Sequence, residues 1–279
     1  MHAMQLLIFG LGYTGRAIAL EAARLGARVT ATSRTPERLT PPAGVELIRF
    51  DAAEPALLRA THVLETAAPT EAGDPVLQHF SRLGAPAWAG MLSTTGVYGD
   101  RGGAWVDEDT APAPTGPRGQ RRWAAEQAWM AAFPTARVDL FRVAGIYGPG
   151  RSVLDDVRQG RARRIDKPDH QFGRIHRDDI AAAVLAAMLQ ERPPGPRVLN
   201  LTDDEPAAGA DVLTEAARLL GMPPPPLVPY DEALRTMSPM GRSFWAENRK
   251  VASAKTQQRL GLTWRYPTYR EGLAGILRG

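Results

Sequence analysis

Three glycines, Gly10, Gly12 and Gly15, fall within the six residues that separate an apolar run from a helical segment in IFGLGYTGRAIA. Glycine at a helix start costs backbone entropy, so this spacing predicts that another group comes very close to the backbone. A strand, then Gly-x-Gly-x-x-Gly, then a helix is typical of a turn that holds a dinucleotide pyrophosphate against free N–H groups. We therefore predict cofactor binding by these glycines and by Tyr13 and Thr14 between them.

The end of the second predicted strand would select between the two nicotinamide dinucleotides. An NAD site places an acidic residue about 20 residues after the first glycine, where its carboxylate binds the ribose hydroxyls. This sequence has Ser33 and Arg34 in that region, and the first acidic residue after them is Glu37. Because a guanidinium can bind a 2′-phosphate and a carboxylate would repel it, we predict NADP rather than NAD. The alternative is that Arg34 is an ordinary surface arginine.

Polar side chains also follow the third and fifth predicted strands. Asp51 closes the third strand, where it would lie near the adenine or serve only a turn. Ser93, Thr94 and Thr95 end the fifth strand, and ligands of such sheets bind outside the carboxyl ends of the strands. Their hydroxyls could polarise a carbonyl or hydroxyl of a substrate, whereas threonines at a strand end also satisfy local backbone groups. The residue types alone fit both roles.

Strands and helices alternate along the first half of the chain. Apolar runs predict strands over residues 4–9, 27–33, 45–51, 61–67, 87–94 and 137–145. Helical stretches lie between most of them, notably over residues 14–25 and 120–133. This alternation predicts an α/β fold with a doubly wound parallel sheet covered by helices on both faces.

The pattern changes beyond about residue 150. A helix is predicted over residues 178–190, a strand over 197–202 and a further helix over 210–221, with proline-rich connections between them. We therefore predict an NADP-binding Rossmann domain over residues 1–150. Residues 151–279 would form mainly a smaller substrate-binding region, with segments around residues 175–202 rejoining the first domain.

Composition argues against several other classes of function. The sequence has no cysteine, which excludes disulfides and thiolate catalysis, and its five histidines are not spaced as metal ligands, so we expect no metal. No apolar run approaches the roughly 18 residues of a membrane span, and MHAMQLLIFG lacks a basic n-region, so we predict a cytoplasmic protein without a membrane partner. The net charge of +4 comes mostly from scattered arginines, which argues against a nucleic-acid partner.

Six motifs resemble those of the extended short-chain dehydrogenase/reductase family, which includes nucleotide-sugar epimerases and dehydratases. They are FGLGYTG, STTGVYG, VDEDTAPAPTG, FRVAGIYGPGR, RIHRDDIAAAV and RYPTYREGL, in family order over almost the whole chain. The resemblance implies a nicotinamide cofactor and a small-molecule substrate, nucleotide sugars being one class. Relatives often dimerise through two long helices, and Trp123 and Trp129 could supply such a homodimer surface or belong to the core.

The resemblance also assigns individual residues. Thr94, four residues before Tyr98, matches the catalytic serine or threonine of the family, and Tyr98 matches the tyrosine of its VYG signature. Tyr147 matches a segment that borders the cofactor. Arg174 and His176 match a segment that lines the substrate cleft, with a structural hydrogen-bonding role as the alternative for His176.

One departure from the family pattern bears on mechanism. Members that do redox chemistry carry Tyr-x-x-x-Lys on the helix after VYG; the tyrosine acts as acid or base, and the lysine lowers its pKa and binds the nicotinamide ribose. The matching positions here hold Arg118 and Arg122. Arg118 cannot act as a proton shuttle because an arginine is not deprotonated in practice, whereas Arg122 could still donate to ribose hydroxyls.

The sequence therefore leaves two hypotheses. The first is an NADP-dependent oxidoreductase or epimerase on a small polar or nucleotide-linked substrate, with Thr94, Tyr98 and Arg122 as catalytic residues. The second is a catalytically inactive NADP-binding sensor or regulatory protein that has kept the fold and lost the chemistry.

Overall fold

The computed structural model describes residues 4–279, so His2 and the first residues of the predicted 1–150 domain lie outside its described part. The strands are β1 (Gln5–Phe9), β2 (Arg28–Ser33), β3 (Val45–Arg49), β4 (His62–Glu65), β5 (Trp88–Thr94), β6 (Trp105–Val106), β7 (Arg137–Val143), β8 (Gly145–Tyr147), β9 (Arg164–Asp166), β10 (Arg174–His176), β11 (Gly195–Leu201), β12 (Leu227–Pro229) and β13 (Lys250–Val251). The helices are α1 (Tyr13–Arg24), α2 (Glu54–Arg59), α3 (Pro75–His79), α4 (Pro117–Ala132), α5 (Val153–Arg158), α6 (Arg177–Leu189), α7 (Gly209–Leu219), α8 (Tyr230–Thr236), α9 (Pro239–Trp245), α10 (Ala254–Leu260) and α11 (Tyr269–Arg278).

Seven strands form the main sheet in the order β11, β7, β5, β4, β1, β2, β3, and every neighbouring pair is parallel. The predicted α/β class with a doubly wound parallel sheet is confirmed. The strand order reverses between β1 and β4, because β2 and β3 lie on one side of β1 and the later strands on the other. Ligands of such sheets bind at this reversal, outside the carboxyl ends of the strands. The glycine turn follows β1 and is therefore at that point.

Alternate side chains of each strand supply the cores on the two faces of the sheet. Leu6 and Ile8 of β1 pack with Ile18 of α1 on one face. Leu7 and Phe9 pack on the other face in a cluster that includes the fully buried Trp129 of α4. Trp129 is thus a core residue, the second of the two alternatives given for it. This two-sided burial explains why the strands read as nearly continuous apolar runs.

The C-terminal part of the chain contributes to two structures. β11 completes the main sheet, and α6 packs against α1 on one of its faces. A separate apolar cluster joins α5, α7 and α11 around Leu154, Val212 and Leu273. Three two-stranded pairs, β10 with β8, β12 with β9 and β13 with β6, connect further segments of the chain. Within residues 4–279, no helix combines the length and the apolar character needed to cross a membrane.

Candidate cofactor and substrate site

The glycine turn has the shape of a phosphate cradle. Gly10 has a φ of +102°, in the region that favours glycine. A Cβ on Gly15 would lie 2.3 Å from the carbonyl oxygen of Gly10, so the third glycine is required for α1 to pack against the turn. A Cβ on Gly12 would meet nothing within 4 Å, and no side chain caps the N-terminus of α1 there. An anion can therefore approach the first N–H groups of α1 from this open side.

The neighbouring strand ends hold the turn in place. The Thr32 hydroxyl accepts a hydrogen bond from the Gly10 N–H at 3.3 Å, and the Thr32 carbonyl accepts one from the Leu11 N–H at 3.0 Å. On the other side, the Thr66 hydroxyl lies 2.8 Å from the Gly10 carbonyl and 3.0 Å from the Phe9 carbonyl, the two acceptors near it. Sequence reasoning missed Thr66, because nothing local distinguishes it from any other hydroxyl after a strand.

The end of β2 presents an unpaired cation. The Ser33 hydroxyl accepts a hydrogen bond from the Thr35 N–H at 3.1 Å, so Ser33 shapes the bend. Arg34 is exposed, and across residues 4–279 it forms no hydrogen bond or ion pair. The first acidic side chain after it, Glu37, lies in the following 3₁₀ turn. A 2′-phosphate would thus meet an available guanidinium at the strand end.

Asp51 has a partner of its own in the turn after β3. Nε and Nη2 of Arg49 each lie 3.2 Å from a carboxylate oxygen of Asp51. This hydrogen-bonded pair holds the pKa of Asp51 below its ordinary value. The contact fits the local turn role considered above, and an adenine contact stays a prediction.

Thr94 ends β5 and keeps an unused donor. Its hydroxyl oxygen accepts a hydrogen bond from the Gly96 N–H at 3.1 Å, which starts the 3₁₀ turn Thr95–Tyr98. A hydroxyl can also donate one hydrogen bond, and within the described residues this donor has no acceptor. The local backbone role and an available O–H therefore coexist in the half-buried Thr94.

Tyr98 does not reach the cleft. Its side chain is fully buried with Val106 and Val251, and its hydroxyl donates to Asn200 Oδ1 at 2.8 Å. Burial raises the pKa of Tyr98 above its ordinary value, which further opposes proton transfer. We therefore correct its predicted role from proton handling to support of the turn after β5. The VYG motif places the residue, but the 3₁₀ turn directs its ring inward.

The two arginines in place of the family dyad differ in environment. Arg122 Nη1 donates to the Leu92 carbonyl at 3.0 Å and to the Ala67 carbonyl at 3.2 Å, so it joins the ends of β5 and β4. Burial lowers the pKa of Arg122. Arg118 is exposed one turn earlier, with its guanidinium carbon 4.8 Å from the centre of the Phe244 ring.

A buried ion pair fixes α4 against the sheet. Arg142 Nη2 of β7 lies 2.9 Å from Glu126 Oε2, and both side chains are almost completely buried. The Ser93 hydroxyl also donates to Glu126. Ser93 is therefore structural. Because Glu126 follows Arg122 by one helical turn, these contacts also set the position of Arg122 at the strand ends.

His176 and Tyr147 are buried and pack against each other. Their ring centres lie 5.3 Å apart in an edge-to-face arrangement, and Tyr266 covers His176 at 4.2 Å. His176 Nδ1 accepts a hydrogen bond from the Asp178 N–H at 3.2 Å and so caps α6. Burial lowers the pKa of His176 to about 4, so the ring is neutral at pH 7. The contacts of His176 therefore fit the structural hydrogen-bonding role that was the alternative to lining the substrate cleft.

Arg174 points into the C-terminal region. Its Nη1 donates to the Phe172 carbonyl at 2.8 Å and to the Ala207 carbonyl at 3.0 Å. These bonds tie β10 to the segment before α7. Nη1 of Arg174 thus joins two backbone segments, and its role in lining the substrate cleft stays a prediction.

Tyr13 lies between two cations that sequence reasoning did not single out. The guanidinium carbon of Arg177 is 4.9 Å from its ring centre and that of Arg151 is 5.6 Å away. The Tyr13 hydroxyl donates to the Pro149 carbonyl at 3.0 Å. These contacts join the GPGR loop after β8 to the start of α1 and add positive charge beside the glycine turn.

The segment after α9 reaches the end of β5 from the far side of the chain. Arg249 Nη1 donates to the Gly99 carbonyl at 2.9 Å and to Glu247 Oε2 at 2.7 Å. The Thr115 hydroxyl donates to Glu247 Oε1 at 2.7 Å. Sequence reasoning missed Arg249, since it lies about 150 residues from Thr94 and in no motif used above.

Across residues 4–279, no three His, Asp or Glu side chains are grouped as metal ligands.

The fold of this chain is similar to those of several solved structures. No family model matches the chain. A conserved protein of unknown function from Silicibacter pomeroyi DSS is 42% identical, and the match covers 98% of both chains with a TM-score of 0.86. The human epimerase family protein SDR39U1, solved with NADPH, is 18% identical over 99% of this chain and all of that one, with a TM-score of 0.81. MoeE5, solved with UDP-glucuronic acid and NAD, is 21% identical over 98% of both chains, with a TM-score of 0.76.

Proposed function

Because this chain belongs to the extended short-chain dehydrogenase/reductase family, we propose that it is an NADP-dependent oxidoreductase or epimerase acting on a small polar or nucleotide-linked substrate. The observation that carries the cofactor choice is the exposed, unpaired Arg34 at the end of β2, the strand whose Thr32 is hydrogen-bonded to the glycine turn. Solved structures of similar fold hold NADPH in SDR39U1 and NAD in MoeE5. A nicotinamide cofactor is common to both, and Arg34 favours the phosphorylated one here.

The residues present fit this cofactor. The first N–H groups of α1 would hold the pyrophosphate across Gly12, where a side chain is absent and space is open. Arg34 would bind the 2′-phosphate. Arg122 uses Nη1 for two backbone carbonyls, and its other donors could reach the ribose hydroxyls from the same strand ends. When bound, the nicotinamide supplies a group that accepts or donates a hydride.

Thr94 is the residue that we assign to the substrate. Its unused O–H donor lies at the carboxyl end of β5, where a donated hydrogen bond would polarise a substrate carbonyl. Arg118 cannot exchange the proton that accompanies hydride transfer, because a guanidinium stays charged. We therefore propose that this proton comes from solvent or from the substrate. Such a route lacks the general acid–base assistance that is typically worth 10² to 10⁴ in rate.

One observation favours the second function, an NADP-binding sensor without catalysis. Arg118 and Arg122 occupy the two dyad positions, and Tyr98 is buried and bonded to Asn200. None of these three side chains can exchange a proton near neutral pH. A protein that needs only cofactor binding would retain the glycine turn and Arg34 while tolerating these replacements.

The test combines binding with turnover on the purified chain. NADPH and NADH affinities are measured by fluorescence titration, and NADP-dependent oxidation or epimerisation of a UDP-sugar panel is followed at 340 nm and by NMR. The enzyme function predicts turnover that Thr94→Val reduces without changing cofactor affinity. The sensor function predicts cofactor binding without turnover in either protein. If the protein binds neither NADPH nor NADH, both proposed functions are overturned.

The two parts of the chain would have different roles in binding. We propose that residues 1–150 bind NADP and that residues 151–279 mainly shape the substrate pocket, while β11 completes the main sheet and α6 packs on it. A homodimer is also a proposal, which light scattering of the purified protein tests. Its surface would not include the buried Trp129.

A further inference from the structure

Arg249 and Thr94 both lie next to the same glycine. A Cβ on Gly96 would be 3.5 Å from the Thr94 hydroxyl oxygen and 3.8 Å from Arg249 Nη2. Because Gly96 has no side chain, neither the hydroxyl nor the guanidinium is covered by a Cβ at this position. We call the space over Gly96, bordered by these two groups, the gap; it is at the carboxyl end of β5, where the substrate of such a sheet binds.

The guanidinium of Arg249 is held in place while some of its donors stay free. Nη1 is used by the Gly99 carbonyl and Glu247, and only 15% of the side chain is exposed. Nη2 has no hydrogen-bond acceptor within residues 4–279, and Nε is buried without a partner. Nη2 can donate to an acceptor on a ligand, whereas the buried Nε is out of a ligand's reach. A fixed cation with free donors is preorganised to bind an anion.

The carboxylates that face Arg249 have other partners. That of Glu247 is bonded to Arg249 Nη1 and to Thr115. That of Asp100 also interacts with Arg249, and it accepts a hydrogen bond from the Asn248 N–H at 2.8 Å. Arg249 Nη2 is therefore the donor that a ligand can use.

We propose that the gap between Arg249 and Thr94 binds an anionic group of the substrate, a carboxylate or a phosphate ester, next to the carbon that reacts. Arg249 Nη2 would hold the anion, and Thr94 would hydrogen-bond to the adjacent carbonyl or hydroxyl oxygen. This inference rests on the proposed function for the role of Thr94. It narrows the substrate class to acids, such as oxo acids or hydroxy acids, and to phosphorylated compounds.

The test is anion binding by calorimetry, with oxalate as the carboxylate probe and inorganic phosphate as the phosphate probe. Saturating NADPH occupies the phosphate-binding parts of the cofactor site, so the probes report on the gap alone. We expect one of the two probes to bind. Arg249→Gln should weaken the affinity for that probe at least about tenfold, because a hydrogen bond between charged groups is lost. Arg242→Gln removes an exposed arginine of α9 and should leave the affinity unchanged.

A second variant covers the case in which Arg249→Gln loses its fold. Gly96→Ala places a methyl group at ordinary contact distances from Thr94 and Arg249, so the fold should persist while the gap is filled. It should weaken the same probe by at least about tenfold. Binding of neither probe to the unchanged protein overturns the inference, as does equal binding by Gly96→Ala. A separate NADPH titration shows whether the cofactor proposal itself has failed. If NADPH does not bind, the oxalate affinities of the unchanged protein and of the two variants are compared without cofactor.

Discussion

Gly15 packs so tightly on Gly10 that a Cβ on Gly15 would lie 2.3 Å from the Gly10 carbonyl oxygen. Gly12, between them, faces open space. The two neighbouring glycines of one motif therefore have different physical reasons for lacking a side chain. Gly15 serves the packing of α1 on the turn, whereas Gly12 leaves room for a ligand.

This difference predicts opposite phenotypes for two substitutions. Gly12→Val should fold normally, because its backbone has φ −80° and ψ −166°, which valine adopts, yet it should lose measurable NADPH binding. Gly15→Ala should instead lower the melting temperature, since the new methyl group collides with backbone. Thermal melts and NADPH titrations of both variants check this pair. Normal NADPH affinity in Gly12→Val would show that the cofactor does not use this turn.

Arg34 should determine the preference for the 2′-phosphate. We expect NADPH to bind at least about tenfold more tightly than NADH, or about 1.4 kcal/mol. Arg34→Ala should remove most of this gap and leave NADH affinity nearly unchanged, because only the phosphate contact is lost. Arg24→Ala, an exposed arginine at the far end of α1, is the matched control. Equal affinities for the two cofactors in the unchanged protein would refute the assignment.

Thr94 and Tyr98 should respond differently, although both belong to one motif. Thr94→Val removes the free O–H donor at β5 and should reduce turnover by about 10²-fold while sparing NADPH affinity. Tyr98→Phe leaves Asn200 Oδ1 without its donor, so it should lower the free energy of unfolding by about 1–3 kcal/mol with little effect on turnover. Steady-state kinetics and urea unfolding separate these effects. A large loss of turnover in Tyr98→Phe at unchanged stability would restore a catalytic role for Tyr98.

Acid should weaken the fold through His176. Its pKa is lowered to about 4 by burial, whereas an unfolded histidine titrates near 6.5, so the unfolded chain binds more protons between these values. The contribution of His176 is therefore fully present above about pH 6.5 and is lost as the pH falls towards 4. His176→Asn retains a helix-capping side chain but does not titrate. Urea unfolding at pH 7, 5.5 and 4.5 should show a shallower loss of stability in this variant, and an identical loss would contradict the assignment.

Local patterns in the sequence predict the strands and the glycine turn well, because burial on both faces and backbone sterics act over a few residues. The direction of a side chain beyond a strand end depends on distant contacts. Tyr98 turns inward because Asn200 accepts its hydroxyl. Nη1 of Arg174 ties two backbone segments together, a contact that the motif around it does not indicate.

The position of Arg249 could not be predicted from the sequence. Its place beside Thr94 results from the β13–β6 pairing and from the Gly99 carbonyl, both of which bring together segments far apart in the chain. No spacing rule connects such residues before the fold is known. By contrast, Arg122 is placed by counting along α4 from Glu126, since one helical turn fixes that relationship.

The pairing of β11 with β7 has a consequence for how the protein is made. β7 is an interior strand of the finished sheet, but its outer edge stays uncovered during synthesis until residues 195–201 have left the ribosome. An uncovered, apolar strand edge invites pairing with other chains. We expect a nascent chain that ends near residue 150 to engage chaperones, and a purified 1–150 fragment to aggregate. Supplying residues 151–279 as a second polypeptide during refolding should rescue its solubility.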